Sequence, residues 1–246
     1  MTTATSRRED GFFNRGDTQT RLETFVDAAF AFVMTLLVIS FNDIPKNSTE
    51  LIEALKGIPA FAASFVLLTQ FWMAHNNWCR RYGLDDQRMT VLSIMLVFLV
   101  LIFVYPLRVQ FASLFYWISN GWLPSTYSIA NASDLQIMFL TFAVSFGAMS
   151  LCFALLYRHA WNQANRIGLD AFEHASTKLH TWQWAINVVV ALVSIVLSLS
   201  YEPGPSVLRA TAGGMVLFLL QLASLLFAIQ HRRLRRRYLE ASTAKA

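Results

Sequence analysis

The sequence predicts an all-α polytopic membrane protein with six transmembrane helices and both termini in the cytoplasm. Of its 246 residues, 55% are hydrophobic and 14% are charged, and the mean hydropathy is +0.44. Soluble domains carry about 25% charged residues. The apolar residues form runs of about 20, the length that an α-helix needs to cross a bilayer. Lysines and arginines flank these runs, as they do at the ends of membrane spans.

The elements follow in chain order. Residues 1–20 are polar and predict a flexible cytoplasmic tail. Residues 21–230 contain the transmembrane domain, in which a polar turn over 42–53 follows the first span and a large loop over 158–181 precedes the fifth. Residues 231–246 form a basic cytoplasmic tail. The six spans are predicted at about 22–41, 57–78, 89–107, 135–157, 182–201 and 207–229.

The distribution of basic residues sets the orientation. All lysines and arginines except Lys46, Lys56, Arg108 and Arg209 fall on the side that holds both termini. The positive-inside rule therefore places the termini in the cytoplasm. Topology accounts for the net charge of +5, so we expect membrane lipids as partners and no nucleic acid.

The first span carries charges that lipid disfavours. Arg21, Glu23 and Asp27 lie in its first two turns, and a charge at mid-span costs about 2.5–3.5 kcal/mol on insertion scales. At 1.5 Å per residue, Asp27, His75 of the second span and Ser93 of the third each lie roughly 8–9 Å from a basic flank. We expect a hydrogen-bonded Asp–His–Ser cluster, joined by Arg21, that locks the helices together. A hydrolytic triad and proton sensing by His75 are the alternatives.

One face of the first span is mainly apolar. At 100° per residue, Asp27 projects roughly 120° away from this stripe. The stripe is consistent with ordinary helix packing or with a pore lining whose hydrophobic constrictions gate by dewetting. Its members are Phe25, Ala28, Phe32, Thr35, Leu36 and Ile39.

These residues carry a resemblance to a known family. The segment Arg21-x-x-x-Phe25-Val26-Asp27, followed by Ala-x-Phe-Ala and Thr35-Leu-Leu, resembles the first-helix signature of the transmembrane protein 175 family, the potassium channels of endolysosomes and their prokaryotic relatives. Val26 stands where the family motif has serine. Two further patterns are similar to those of the family: Phe71-Trp72-x-x-His75 in the second span and Tyr105-Pro106 at the end of the third.

The resemblance implies a six-span subunit of a homotetramer in a prokaryotic plasma membrane, with potassium as the permeant ion. It implies that Phe32 and Ile39 lie at or near apolar constrictions, and that Thr35, beside Leu36, is linked to potassium preference. It also implies a helix-locking network. The residues of that network are Arg21, Phe25, Asp27, His75 and Ser93, where Ser93 replaces the asparagine of the family.

Two other classes of protein stay open at this point. One is a secondary transporter or proton-coupled carrier, and the other is a non-conducting membrane scaffold. We expect no enzymatic activity, no cofactor and no metal site, since the two cysteines, Cys79 and Cys152, form no ligand framework.

Overall fold

The computed structural model describes residues 7–39, 45–125, 127–200 and 211–217, together with residues 227, 229 and 238. This part of the chain is helical, with one isolated antiparallel bridge between Arg7 and Phe13. Its helices are α1 (Arg21–Ile39), α2 (Ser48–Lys56), α3 (Ile58–Tyr82), α4 (Gln87–Ile118), α5 (Ala132–Asn162), α6 (Ala164–Ile167), α7 (Ala171–Leu199) and α8 (Ala212–Leu217).

Four stretches of helix in the described part are long and apolar enough to cross a membrane. The predicted second, third and fourth spans lie within the first three of them, and the fifth overlaps the last. The predicted sixth span, 207–229, is described only at 211–217, 227 and 229, and the basic tail only at residue 238. The four stretches are Ser48–Tyr82, Gln87–Ile118, Ala132–Asn162 and Ala171–Leu199.

The loop expected over 158–181 is largely helical. Its polar residues include a capping box at the start of α7, in which the backbone N–H of Glu173 donates to Asp170 Oδ1 at 2.8 Å and the N–H of Asp170 donates to Glu173 Oε2 at 3.0 Å. This box satisfies N–H groups that a helix start leaves unpaired. The following turns bury Ser176 and His180 among protein groups, so polarity here marks buried contacts and does not mark a loop.

Two other connections are also more helical than we expected. The polar turn over 42–53 contains the start of α2, where Asn47 Oδ1 accepts the N–H of Glu50 at 2.9 Å. Helix α4 continues through Pro106 to Ile118, past residue 107, where the third span was predicted to end, and so includes the aromatic residues Phe115, Tyr116 and Trp117 of the connection that follows. Proline is tolerated inside a membrane helix because neighbouring groups can satisfy the freed carbonyl.

The core lies where α3, α4 and α5 meet. Phe71 of α3 is 3% exposed, and its ring lies 6.1 Å from that of Phe103 on α4 and 5.9 Å from that of Phe153 on α5. Helix α1 packs against α3 and α4, whereas α7 packs against α5 and α8. Gly147 permits the close approach of α5 to α7, because a Cβ at that position would lie 2.8 Å from Ala191 Cβ.

Residues 7–20 differ from the flexible tail that we expected. They form a strap across one end of the bundle, and we use that name for them below. Phe12 is fully buried, with its ring 6.0 Å from that of Tyr82 on α3 and 5.9 Å from that of Phe172 on α7. Charged groups of the strap pair with groups of the bundle, as Asp10 does with Arg81 at 3.0 Å. Its polar composition therefore reflects these contacts and does not indicate a flexible tail.

Candidate functional site

Helix α1 has one buried face. Because residues three and four apart share a helix face, a single row of apolar side chains contacts the bundle. The exposed fraction of each side chain in this row is 0% or 1%. The row consists of Val26, Phe30, Val33 and Leu37.

Another face of α1 is uncovered in the single chain. Phe25 is 54% exposed and Phe32 is 56% exposed, and Ala28 and Thr35 are also exposed. Leu36, at the margin of this face, is half-buried. Ile39 is the last residue of α1, and its side chain lies outside the described part of the structure. Four members of the apolar stripe that we derived from periodicity are therefore open to whatever surrounds the chain.

Thr35 interrupts this apolar face with a hydroxyl group. Its Oγ1 donates to the backbone carbonyl of Phe32 at 2.6 Å, one turn earlier in the helix. The hydrogen is thus directed at the helix, which leaves the oxygen lone pairs available to groups outside it.

Asp27 fastens α1 to its surroundings through both carboxylate oxygens. Oδ1 accepts the indole N–H of Trp72 on α3 at 2.8 Å. Oδ2 accepts from the side-chain amide of Gln19, in the strap, at 2.7 Å. These two donors provide the partners that a carboxylate near the bilayer requires.

His75 and Ser93 form a separate contact between α3 and α4. Nε2 of His75 lies 2.9 Å from Ser93 Oγ, and Nδ1 lies 3.7 Å from the sulfur of Cys79. His75 is 1% exposed and Ser93 is fully buried. The histidine therefore joins α3 to α4 and does not hydrogen-bond to Asp27.

Arg21 lies apart from these contacts. It is exposed, and within the described residues it forms no ion pair. Glu23 takes the buried ionic position at the start of α1, with Oε2 3.8 Å from a guanidinium nitrogen of Arg80. Of the expected network, the single chain brings together His75 and Ser93, and it places Arg21, Phe25 and Asp27 in other surroundings.

The expected Asp–His–Ser cluster does not form a hydrolytic triad. A triad needs the acid on one nitrogen of the histidine and an accessible nucleophile on the other. Here Asp27 is bonded to Trp72 and Gln19, and Ser93 is fully buried. In the part of the chain that the structure describes, no group of three His, Cys, Asp or Glu side chains could hold a metal ion.

Long apolar helices define a multi-helix membrane protein, and its first helix is held on one face and uncovered on another. The sequence model of the family described as endosomal/lysosomal potassium channel TMEM175 matches residues 21–106. A Marivirga tractuosa protein named a potassium channel is 29% identical over 213 residues, which cover 85% of each chain. The chain is thus similar to this family over residues 21–106 and to the Marivirga protein over most of its length.

Solved structures extend the similarity to the whole bundle. The crystal structure of the potassium channel MtTMEM175, a threonine-to-alanine variant in complex with a Nanobody-MBP fusion protein, matches with a TM-score of 0.78 and 25% identity. That match covers 93% of this chain and 100% of the other. A TMEM175 homologue from Chamaesiphon minutus, described as a lysosomal potassium-selective channel, shares the fold with a TM-score of 0.54, 22% identity and coverage of 86% and 96%. The family resemblance predicted from the motifs is confirmed.

Proposed function

We propose that the chain is the subunit of a homotetrameric potassium channel of a prokaryotic plasma membrane, with its pore lined by the uncovered face of α1. The observation that supports this proposal is the two-sided character of α1, which buries one apolar row and leaves another open. Around a closed symmetry axis, identical faces from several copies meet one another. The proposed pore-lining and gating residues are Phe32, Thr35, Leu36 and Ile39.

The chemistry of this face fits permeation through hydrophobic constrictions. Rings of Phe32 and Ile39 would exclude water when the pore is narrow, which closes it by dewetting. Thr35 lies between them and offers hydroxyl oxygen to a cation, because its hydrogen is donated to Phe32 O. Potassium needs oxygen ligands when it sheds water, and Thr35 is the polar residue of the stripe that can supply them.

The polar residues of the signature would hold the pore helix. Asp27 with Trp72, and His75 with Ser93, connect α1, α3 and α4 in one subunit. Arg21 and Phe25 are exposed in the single chain, so their part of the helix-locking network would lie at contacts between subunits.

Six spans with both termini in the cytoplasm complete the proposal. The support is the basic flanks and the number of apolar runs in the sequence. A membrane-impermeant thiol reagent tests the orientation at single introduced cysteines, Ser48→Cys for the outer side and Arg166→Cys for the inner side. The native Cys79 and Cys152 are 2% and 5% exposed, so they do not compete for the reagent.

The decisive experiment is ion flux from liposomes that contain the purified protein. We expect potassium flux above sodium flux in the wild type, and changed rate and selectivity in Phe32→Ala and Thr35→Ala. Phe98→Ala is the matched control, because Phe98 on α4 has the same 56% exposure as Phe32 but lies on a helix outside the proposed pore. Absence of flux from the wild type and both α1 variants would contradict the proposal, and native mass spectrometry tests the tetramer independently.

A further inference from the structure

The strap connects two parts of the bundle that otherwise contact different neighbours. Helix α1 packs against α3 and α4, and α7 packs against α5 and α8. The strap touches both α3 and α7 before it enters α1. Its contacts therefore link the position of α7 to the start of the first helix.

The anchor on α7 is a buried ion pair. The two terminal nitrogens of Arg15 donate to Glu173 Oε1 at 2.8 Å and Oε2 at 2.6 Å, and Glu173 is fully buried. Arg15 also donates to the backbone carbonyls of Ile167 at 2.9 Å and Gly168 at 3.0 Å. Loss of one partner would leave a buried charge uncompensated, which makes this contact strongly dependent on arginine.

A further anchor, on α3, involves the backbone of the strap at Arg15 and Gly16. The N–H groups of Arg15 and Gly16 donate to the carbonyl of Arg80 at 3.0 and 3.2 Å, and the Arg80 guanidinium donates to the carbonyl of Gly16 at 2.5 Å. A Cβ at Gly16 would lie 2.6 Å from the carbonyl oxygen of Cys79. The chain passes so close to α3 that any side chain at this position would displace it.

The tether from these anchors to α1 is short. Only residues 17–20 separate Gly16 from Arg21, and an extended chain spans at most about 3.6 Å per residue. Thr20 Oγ1 accepts the N–H of Glu23 at 3.1 Å and so caps the helix, and Gln19 donates to Asp27. The end of the strap is thus bonded to the first two turns of α1.

We propose that the strap positions the first helix. Arg15, through its ion pair with Glu173 of α7, and Gln19, through its hydrogen bond to Asp27, are positioning residues that fix the start of α1 relative to the rest of the bundle. An effect of the strap on ion conduction rests on the proposed function, whereas the structural link between the strap and α1 does not. Displacement of the strap would loosen the first turns of α1 while α4 and α5 remain packed.

Hydrogen–deuterium exchange of the full-length protein tests the link without reference to conduction. Gly16→Ala displaces the strap without removing a charged side chain, Arg15→Lys keeps the charge but loses the bidentate geometry, and Gln19→Ala removes only the contact with Asp27. We expect amides of residues 22–28 to exchange at least about tenfold faster in Gly16→Ala, with smaller increases in the other two and no change in α4. Arg166→Gln is the control, because Arg166 is an exposed cation with no ion pair in the described structure.

Unchanged exchange over residues 22–28 in Gly16→Ala, with faster exchange over residues 7–16, would show that the strap can detach without affecting α1 and would overturn the inference. Faster exchange throughout the bundle would also overturn it, because the strap would then act as general structural support. If the wild type conducts, the ratio of potassium to sodium flux should fall severalfold in Gly16→Ala. The ratio should also fall in Arg15→Gln, which removes the charge, and should fall less in Arg15→Lys, which keeps it. A silent wild type would reject the proposed function and leave the exchange result standing.

Discussion

The indole N–H of Trp72 donates to Oδ1 of Asp27 at 2.8 Å and so joins α3 to α1. Asp27 would otherwise present a charge without a strong donor near the bilayer, where unsatisfied polar groups cost several kcal/mol. Gln19 completes the arrangement from the strap. Asp27, the acidic residue of the first-helix signature, is therefore held by Trp72 of α3, whereas His75 of the same helix contacts Ser93 of α4.

Replacement of Trp72 by phenylalanine tests this bond while keeping an aromatic ring. Loss of one hydrogen bond to a charged acceptor should lower the free energy of unfolding by about 1.5–3 kcal/mol. Thermal melting in detergent measures the change. Trp182→Phe is the control, because Trp182 is 60% exposed on α7 and should change stability little. Equal melting temperatures for both variants would show that the Trp72 bond contributes nothing.

Two substitutions of Asp27 distinguish whether the fold requires its charge or only a hydrogen-bond acceptor at this position. Asp27→Asn keeps a carbonyl oxygen for Trp72, and the Gln19 amide can turn to accept from the new NH₂ group, so we expect a small loss. Asp27→Ala leaves the Trp72 N–H unpaired and should cost about 1–3 kcal/mol. Melting temperature and oligomeric state report the two effects. An Asp27→Ala protein that matches the wild type in both measurements would contradict a role for Asp27 in holding α1.

Hydropathy and periodicity predicted the features that depend on one helix at a time. The long apolar runs marked the helices. The 100° repeat grouped Phe25 and Phe32 on one stripe, and both are exposed in the structure, but it did not identify the buried row that contains Val26 and Phe30. Depth along a helix follows from residue number, and it correctly indicated that His75 and Ser93 could meet. The sequence does not show how two neighbouring helices are rotated relative to each other about their axes. For this reason we expected His75 to bind Asp27, whereas in the structure Trp72 does so.

The strap and the start of α7 were missed because their polarity was read as solvent exposure. In the strap, the pair Phe12–Phe13 within a charged segment was the available signal that one side is buried. At α7, Asp170 and Glu173 have the three-residue spacing of a capping box. The pairing of Arg15 with Glu173 joins residues far apart in sequence, and no local pattern in a single chain could have predicted it.

Ser93 should matter to stability through the buried histidine that it contacts. Ser93→Ala removes the partner of His75 Nε2 and leaves a buried polar atom unsatisfied, so we expect a loss of about 1–3 kcal/mol. Ser64→Ala is a matched control. Ser64 is also fully buried, but its hydroxyl donates only to the carbonyl of Ala60 in its own helix, at 2.8 Å. If the two variants melt at the same temperature, the contact between α3 and α4 does not stabilise the fold.

Asp86, in the turn between α3 and α4, should make the stability of the folded protein depend on pH. Asp86 Oδ1 caps α4 by accepting the N–H of Met89 at 2.9 Å, and Oδ2 lies 2.6 Å from His159 Nε2 at the end of α5. Partial burial acts to raise the pKa of Asp86, but the hydrogen bonds from Met89 and His159 outweigh it and hold the pKa below the ordinary 3.8. A lowered pKa means that the folded state binds fewer protons than the unfolded one. The stabilisation is therefore complete above that ordinary value and is lost as the pH falls through the lowered pKa.

Comparison with Asp86→Asn isolates this charge, because asparagine is also a good N-cap. We expect the wild type to melt at a higher temperature than Asp86→Asn near neutral pH, and the difference to shrink as the pH falls below 3.8. Asp86→Ala also loses the cap and should be less stable by a further amount of about 1 kcal/mol at every pH. Melting curves between neutral and acidic pH measure both effects. A difference between wild type and Asp86→Asn that stays constant over this range would mean that the carboxylate of Asp86 is not stabilised by folding, and that His159 contributes only through its packing on α5.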